Sequence, residues 1–231
     1  MSYAEQAKPE GLPQAFTIGA DFIGEDNVAL ILGDNIFFGA QLTALLARAV
    51  ARRSGATIFS YHVDDPARYG VIGLGQNGRA VSLEEKPHLP RSNLAVTGLY
   101  FWDKRVVEFA RTLVPSARGE LEITDLIRCY MEAGDLHVEQ MSRGYAWLDT
   151  GTHDSLLEAS EFVRIIQHRQ GIQIACLEEI AYHQGFITAD QARARGEMFC
   201  KTAYGKAILQ AVESPTTPLA DHPGFSLGGT A

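Results

Sequence analysis

Two apolar runs in this chain each end on an aspartate followed by turn residues: Val28-Ala-Leu-Ile-Leu-Gly-Asp34-Asn35 and Tyr145-Ala-Trp-Leu-Asp149-Thr-Gly-Thr152. A short apolar run bounded in this way reads as a buried strand. In an α/β fold such a strand delivers the residue behind it to the carboxyl edge of the sheet, where ligands sit. Two acids so delivered can share one hard divalent cation. Taken singly, each has a plainer use, Asp34 in capping the next turn and Asp149 in capping the helix after Thr152.

The rest of the pattern alternates. Beyond Ile36-Phe-Phe-Gly39, a helix places Leu42, Leu45, Leu46 and Ala49 on one face, and Gly55 is positioned to end it. Residues 56–63 read as a buried strand, and 69–74 and 79–85 as strands joined through Gln76-Asn77-Gly78, whose Asn-Gly pair favours a hairpin turn. A strand at 95–102 precedes helices at about 104–113 and 124–133, the second with Ile123, Leu126, Ile127 and Tyr130 aligned. Strands at 136–141 and 145–148 lead to Thr152, a cap for a long helix striped by Leu156, Ala159, Val163 and Ile166 and ending near Gly171. The prediction is an α/β core with strands of mixed direction over residues 1–175, a small helical appendage over 176–212, and a Pro-, Thr- and Gly-rich tail over 213–231 expected to be disordered.

The chain has 231 residues, enough for one substantial domain. Its net charge of −8 argues against nucleic acid as a partner, while a few local Lys and Arg suffice for a small phosphorylated substrate. No stretch approaches the roughly 20 apolar residues of a membrane span, and Met1-Ser-Tyr-Ala-Glu-Gln6 lacks the apolar region of a signal peptide. Cys129, Cys176 and Cys200 form no metal or redox spacing and read as buried or incidental thiols of a reducing cytosol. Gly73-Leu-Gly75-Gln-Asn-Gly78 matches the dinucleotide fingerprint G-x-G-x-x-G, but strand-like alternation follows where that motif needs a helix. A hairpin loop is the better reading.

Further blocks stand beside the two acids: Leu83-Glu84-Glu85-Lys86-Pro87, Val96-Thr97-Gly98-Leu99-Tyr100, Arg118-Gly119-Glu120-Leu121-Glu122-Ile123-Thr124-Asp125, and a first segment from Gly11-Leu12 to Phe16. In this order the set resembles the sugar-phosphate nucleotidylyltransferases, nearest to the thymidylyltransferases that act on glucose 1-phosphate, from about Tyr3 to Val212. The resemblance implies a Rossmann-like nucleotidyltransferase core. It implies transfer of dTMP from dTTP to glucose 1-phosphate, releasing pyrophosphate and supplying dTDP-glucose for deoxysugars such as dTDP-rhamnose and for surface polysaccharide. Asp34 and Asp149 would hold a catalytic Mg²⁺, an ion that takes a few carboxylates and completes its octahedron with water and phosphate oxygens. Charge neutralisation and in-line alignment of two anions would be most of the catalysis.

The same resemblance distributes the other roles. Lys86 would neutralise the sugar phosphate, and Glu85 would accept hydrogen bonds from sugar hydroxyls. Tyr69, Gly70, Val96 and Tyr100 would shape the sugar pocket. Arg118 would contact a phosphate or brace its loop, and Trp147, among apolar neighbours, reads as core. Gln6 and Gly11 match the segment that reads the pyrimidine base, where Pro13 replaces a small residue at a helix start. Relatives of this kind form homotetramers with a second nucleotide site, and Phe37, Phe38 and Glu178-Glu179-Ile180-Ala181-Tyr182 match segments near it.

The family's opening strand and G-x-G-T-R-L-x-P phosphate loop have no counterpart ahead of Tyr3. The expectation that follows is a central sheet with unpaired edges and exposed apolar helix faces. A competing expectation is a catalytically impaired remnant that binds sugar nucleotide or modulates an oligomer. A third is a related transferase using another nucleotide.

Overall fold

A computed structural model describes residues 2–213, so most of the segment expected to be disordered lies outside the described residues. The chain divides into two compact units, Met1–Trp147 and Leu148–Ala231.

The first unit opens with two short helices, α1 (Gln14–Ile18) and α2 (Ala20–Ile23), then β1 (Val28–Ile31), β2 (Asn35–Gly39) and α3 (Leu42–Ala51). β3 (Ala56–His62), β4 (Gly70–Leu74), β5 (Ala80–Glu85) and β6 (Leu94–Trp102) follow, with a single 3₁₀ turn at Pro66–Arg68. α4 (Val106–Thr112), α5 (Ile123–Glu132), β7 (Leu136–Met141) and the start of β8 (Tyr145–Asp149) complete the series, Leu148 and Asp149 belonging to the second unit. The main sheet runs β5-β4-β6-β3-β7, with β1 also paired to β6, while β2 and β8 make a separate two-stranded sheet. β3 pairs antiparallel with β6 and parallel with β7, so the sheet is mixed, as the sequence pattern predicts.

β6 is the spine of the unit because both its faces are covered. That is why Ala95–Tyr100 are all buried and read as a near-continuous apolar run. Tyr100 and Trp102 join Phe16, Val106, Leu126, Ile127 and Tyr130 in one core cluster, and Leu99 joins Leu45, Ala49, Phe59 and Met141 in another. The i, i+3, i+4 spacing on α5 works as expected, with Leu126, Ile127 and Tyr130 fully buried. Behind the sheet, the buried Asp103 carboxylate accepts from the Gly55 amide, from Arg105 Nη2 and from Tyr130 Oη. The literal G-x-G-x-x-G is the β4–β5 turn, closed by Gly75 N–H on the Arg79 carbonyl at 2.8 Å.

β1 pairs with β6 alone among the described residues, in the register Val28↔Trp102 to Ile31↔Leu99. Nearby apolar side chains remain open to solvent: Phe22 is 81% exposed and Ile31 61%.

The second unit is helical. α6 (His153–Gln170) opens on a reciprocal capping box between Thr152 and Ser155 and closes on Gly171 at φ 66. α7 (Leu177–His183), α8 (Ala189–Met198) and α9 (Ala203–Glu213) gather around Cys176, Ala192 and Ile208. Along α6, Ala159 is buried but Leu156 is half exposed, so the apolar stripe is only partly covered.

Candidate active site

The turn after β1 presents Asp34 to solvent. Its Oδ1 accepts a hydrogen bond from Asn35 Nδ2 at 2.9 Å. Asn35 is in turn held from two sides, its Oδ1 accepting from the Trp147 indole N–H at 2.6 Å and from the Gly98 amide at 3.0 Å. A Cβ at Gly98 would lie 2.5 Å from that oxygen, so only glycine lets β6 come this close.

Trp147 links this corner to the neighbouring one. Its ring packs on Tyr69 with centroids 5.1 Å apart, and the Tyr69 carbonyl accepts from the Lys86 amide at 3.0 Å. Lys86 is exposed and sits at φ 40, a left-handed conformation that a side-chain-bearing residue adopts only at a steric cost. Strain of that kind concentrates at binding sites, where it sets the direction of a side chain.

Glu85, just before Lys86, is half-buried at the end of β5. Thr124 Oγ1 donates to its Oε2 at 3.0 Å and Arg118 Nη1 to its Oε1 at 3.3 Å. Burial pushes the Glu85 carboxyl above its ordinary value, and the negative charge of Glu122 adds to this; the Thr124 hydrogen bond and the charges of Lys86 and Arg118 pull the other way. Gly70 lies against this group: a Cβ there would meet Thr124 Cγ2 at 2.7 Å, Glu85 Oε2 at 3.5 Å and Val96 Cβ at 3.8 Å. Val96 is 6% exposed. Tyr100, at 3%, belongs to the core, its phenol pushed up by burial and by the Glu85 charge.

Arg118 is spoken for within its own loop. Besides Glu85 it pairs with Glu120 at 3.0 Å and Glu122 at 3.6 Å. Gln6 is exposed and donates through Nε2 to the Gly11 carbonyl at 3.2 Å. That segment is tied to the Arg118 loop by the Leu121 amide on the Glu10 carbonyl at 2.8 Å. Asp149 belongs to the second unit, at the end of β8 and half-buried.

Asp34, Asn35, Trp147, Tyr69, Lys86, Glu85, Gly70, Val96 and Thr124 therefore form one continuous series of contacts within the first unit. Asn35 and Thr124 stand inside motifs quoted from the sequence but received no role there, and Trp147 was read as core. It is buried, at 8% exposure, yet its N–H serves the site. Asp34 is a solvent-facing carboxylate, an oxygen donor of the kind a hard cation takes, and Asn35 Nδ2 lies on its Oδ1. Among the described residues no three His, Cys, Asp or Glu side chains gather into a metal cage.

A mixed α/β sheet with an acid at one strand end and a strained lysine beside a half-buried glutamate at another suits transfer between phosphates. Residues 1–165 match the family model described as nucleotidyl transferase, and the chain belongs to that family. Among its relatives, the glucose-1-phosphate thymidylyltransferase of Neisseria meningitidis serogroup A strain Z2491 is 54% identical over 91% of this chain and 73% of its own length. The enzyme of the same name from Xanthomonas campestris pv. campestris strain B100 is 56% identical over 90% and 70%, and that of Mycobacterium tuberculosis strain H37Rv 51% over 92% and 74%. A Bacillus anthracis crystal structure provisionally assigned the same activity, solved with a sucrose, superposes at TM-score 0.64 with 40% identity, covering 71% of this chain and 65% of that one. A UDP-glucose pyrophosphorylase complexed with UDP-glucose superposes at 0.60 with 25% identity over 69% and 64%.

Proposed function

We propose that the chain is a glucose-1-phosphate thymidylyltransferase, joining dTTP and glucose 1-phosphate into dTDP-glucose and pyrophosphate. The observation that carries this reading is the unbroken series of contacts from Asp34 to Glu85. It sets a carboxylate for a cation beside a lysine and a glutamate suited to a sugar phosphate. Identity above 50% to enzymes of that name supports the choice of substrates.

Lys86, directed by its strained backbone, neutralises the phosphate of glucose 1-phosphate. Glu85, prevented from turning by Thr124 and Arg118, accepts hydrogen bonds from the sugar hydroxyls, and Tyr69, Gly70 and Val96 shape the wall of that pocket. Gln6 and Gly11 face the base. Asp34 supplies one carboxylate for Mg²⁺, and Asp149 is the second on the family pattern. When bound, the ion would supply charge neutralisation for the phosphates. The protein's own contribution is alignment and charge, with no covalent intermediate on the enzyme.

On this reading residues 1–175 are the transferase core, a span supported by the family match to 1–165. We infer a homo-oligomer, a tetramer on the family pattern, working in the cytoplasm on diffusible nucleotides to supply dTDP-sugars. Unpaired thiols at Cys129, Cys176 and Cys200 suit that compartment. No helix among the described residues is long and apolar enough to cross a membrane.

The test is Mg²⁺-dependent pyrophosphate release from dTTP and glucose 1-phosphate, with UTP and CTP as competitors and Asp34→Asn as control. Release that prefers dTTP and vanishes in the control supports the reading. Preference for UTP moves the chain to a neighbouring specificity, and silence from a folded sample turns it into a binding protein.

A further inference from the structure

We propose that Asn35 is the positioning residue of the cation site: oriented by the Trp147 indole and the Gly98 amide, its carboxamide fixes the Asp34 carboxylate for the divalent ion. The inference rests on the reading of Asp34 as a metal ligand and adds how that ligand is held.

The geometry identifies each atom of the amide. Two N–H donors, from Trp147 at 2.6 Å and Gly98 at 3.0 Å, converge on one end of the Asn35 side chain, and two donors can share only an oxygen. The other end is therefore the NH₂ group, and it lies 2.9 Å from Asp34 Oδ1. The orientation is imposed by strands far away in sequence, because Gly98 is on β6 and Trp147 on β8. Trp147 itself has little freedom, with Tyr61 and Tyr69 against its ring at centroid distances of 6.0 and 5.1 Å.

A neutral donor is the suitable partner at this position. Asp34 is exposed, and the Asn35 hydrogen bond on its Oδ1 favours one orientation of the carboxylate. A lysine or arginine would hold it too, but would cancel the charge that attracts the cation. An amide holds the oxygen and leaves the charge intact. Partners of this kind behind a metal ligand are worth roughly 10- to 100-fold in metal affinity.

The relay makes a distinctive prediction, since the indole of Trp147 meets Asn35 and Asn35 meets Asp34. Binding of Mn²⁺ alone to the full chain, read by electron paramagnetic resonance of the free ion, separates the possibilities. Asp34→Asn should abolish binding. Asn35→Ala should weaken it on the order of 10-fold. Trp147→Phe, which keeps an aromatic ring and deletes the N–H, should weaken it less, and the double variant should be no worse than Asn35→Ala. In steady state the Mg²⁺ concentration for half activity should rise while KM for glucose 1-phosphate stays put.

Normal Mn²⁺ binding by both Asn35→Ala and Trp147→Phe, with Asp34→Asn silent, overturns the positioning role and leaves the ligand reading standing. Additive losses in the double variant, or a rise in KM for the sugar with unchanged metal affinity, also overturn it. Undiminished binding by Asp34→Asn removes the ligand reading itself. Should Asn35→Ala fail to fold, Trp147→Phe carries the same comparison.

Discussion

Thr124, in the first turn of α5, donates its hydroxyl to Glu85 Oε2 at 3.0 Å, across 39 residues of sequence. The bond opposes the effect of burial, which raises the Glu85 carboxyl above its ordinary value. A raised value in the folded chain means that folding favours the protonated acid. That contribution is full below the ordinary glutamate range, about 4.3, and is lost as pH rises through the raised value.

With Glu85 in the sugar-binding role proposed for it, the opposite form is required, the carboxylate that accepts hydroxyl hydrogens. The acid limb of kcat/KM for glucose 1-phosphate should therefore fall at a pH above the ordinary range for glutamate. Thr124→Val removes the bond that holds the value down, so it should move the limb further up in pH. An acid limb that Thr124→Val leaves in place would rule Glu85 out as the group being titrated.

Gly70→Ala puts a methyl group 2.7 Å from Thr124 Cγ2, too close for carbon against carbon, and 3.5 Å from Glu85 Oε2. Thr124 must move, and Glu85 loses its donor. The expected result is destabilisation of about 1–3 kcal/mol, the usual effect of overpacking, together with a higher KM for glucose 1-phosphate. Thr124→Ser deletes the clashing methyl and keeps the hydroxyl, so in the Gly70→Ala background it should restore both. Failure of the rescue would place the damage elsewhere.

Parts of this site could be read from the residues because their partners are near in sequence. The β4–β5 hairpin follows from Asn77-Gly78, and the core face of α5 from the spacing of Leu126, Ile127 and Tyr130. Asn35 could not be read in this way. Its two donors lie 63 and 112 residues away, and nothing local distinguishes it from a turn residue. β2 escaped for the same reason, since its partner β8 begins only at Tyr145. Trp147 was legible as buried but not as a donor, because apolar neighbours reveal where a ring goes and not where its N–H points.

Asp103 is 6% exposed and accepts from the Gly55 amide at 2.7 Å, Arg105 Nη2 at 2.6 Å and Tyr130 Oη at 2.9 Å. Burial alone would raise its carboxyl, but these bonds outweigh it and hold the group below its ordinary value. The stability it gives is present above the ordinary range for aspartate, about 3.9, and disappears as pH falls through the lower folded value. Asp103→Asn should cost roughly 2–3 kcal/mol at neutral pH, the scale of charge-assisted bonds. Urea melts of both proteins should converge as the pH is taken below that window; a gap that stays constant with pH would mean the carboxylate charge is not what holds Arg105 and Tyr130.

β1 meets only β6 among the described residues, through Val28↔Trp102 to Ile31↔Leu99. Ile31 is 61% exposed and Phe22, just before this strand, 81%. A strand flank with unpaired amides and carbonyls is a template for another chain, and neighbouring apolar side chains strengthen the attachment. The chain at high concentration should accordingly associate through this edge. Ile31→Lys with Phe22→Lys places charges that an added strand cannot bury, and because both sites face solvent the melting temperature should hold. Light scattering across a concentration series is the measurement. Association that falls in the double variant at constant melting temperature locates the contact at β1, whereas unchanged association would assign it to another surface.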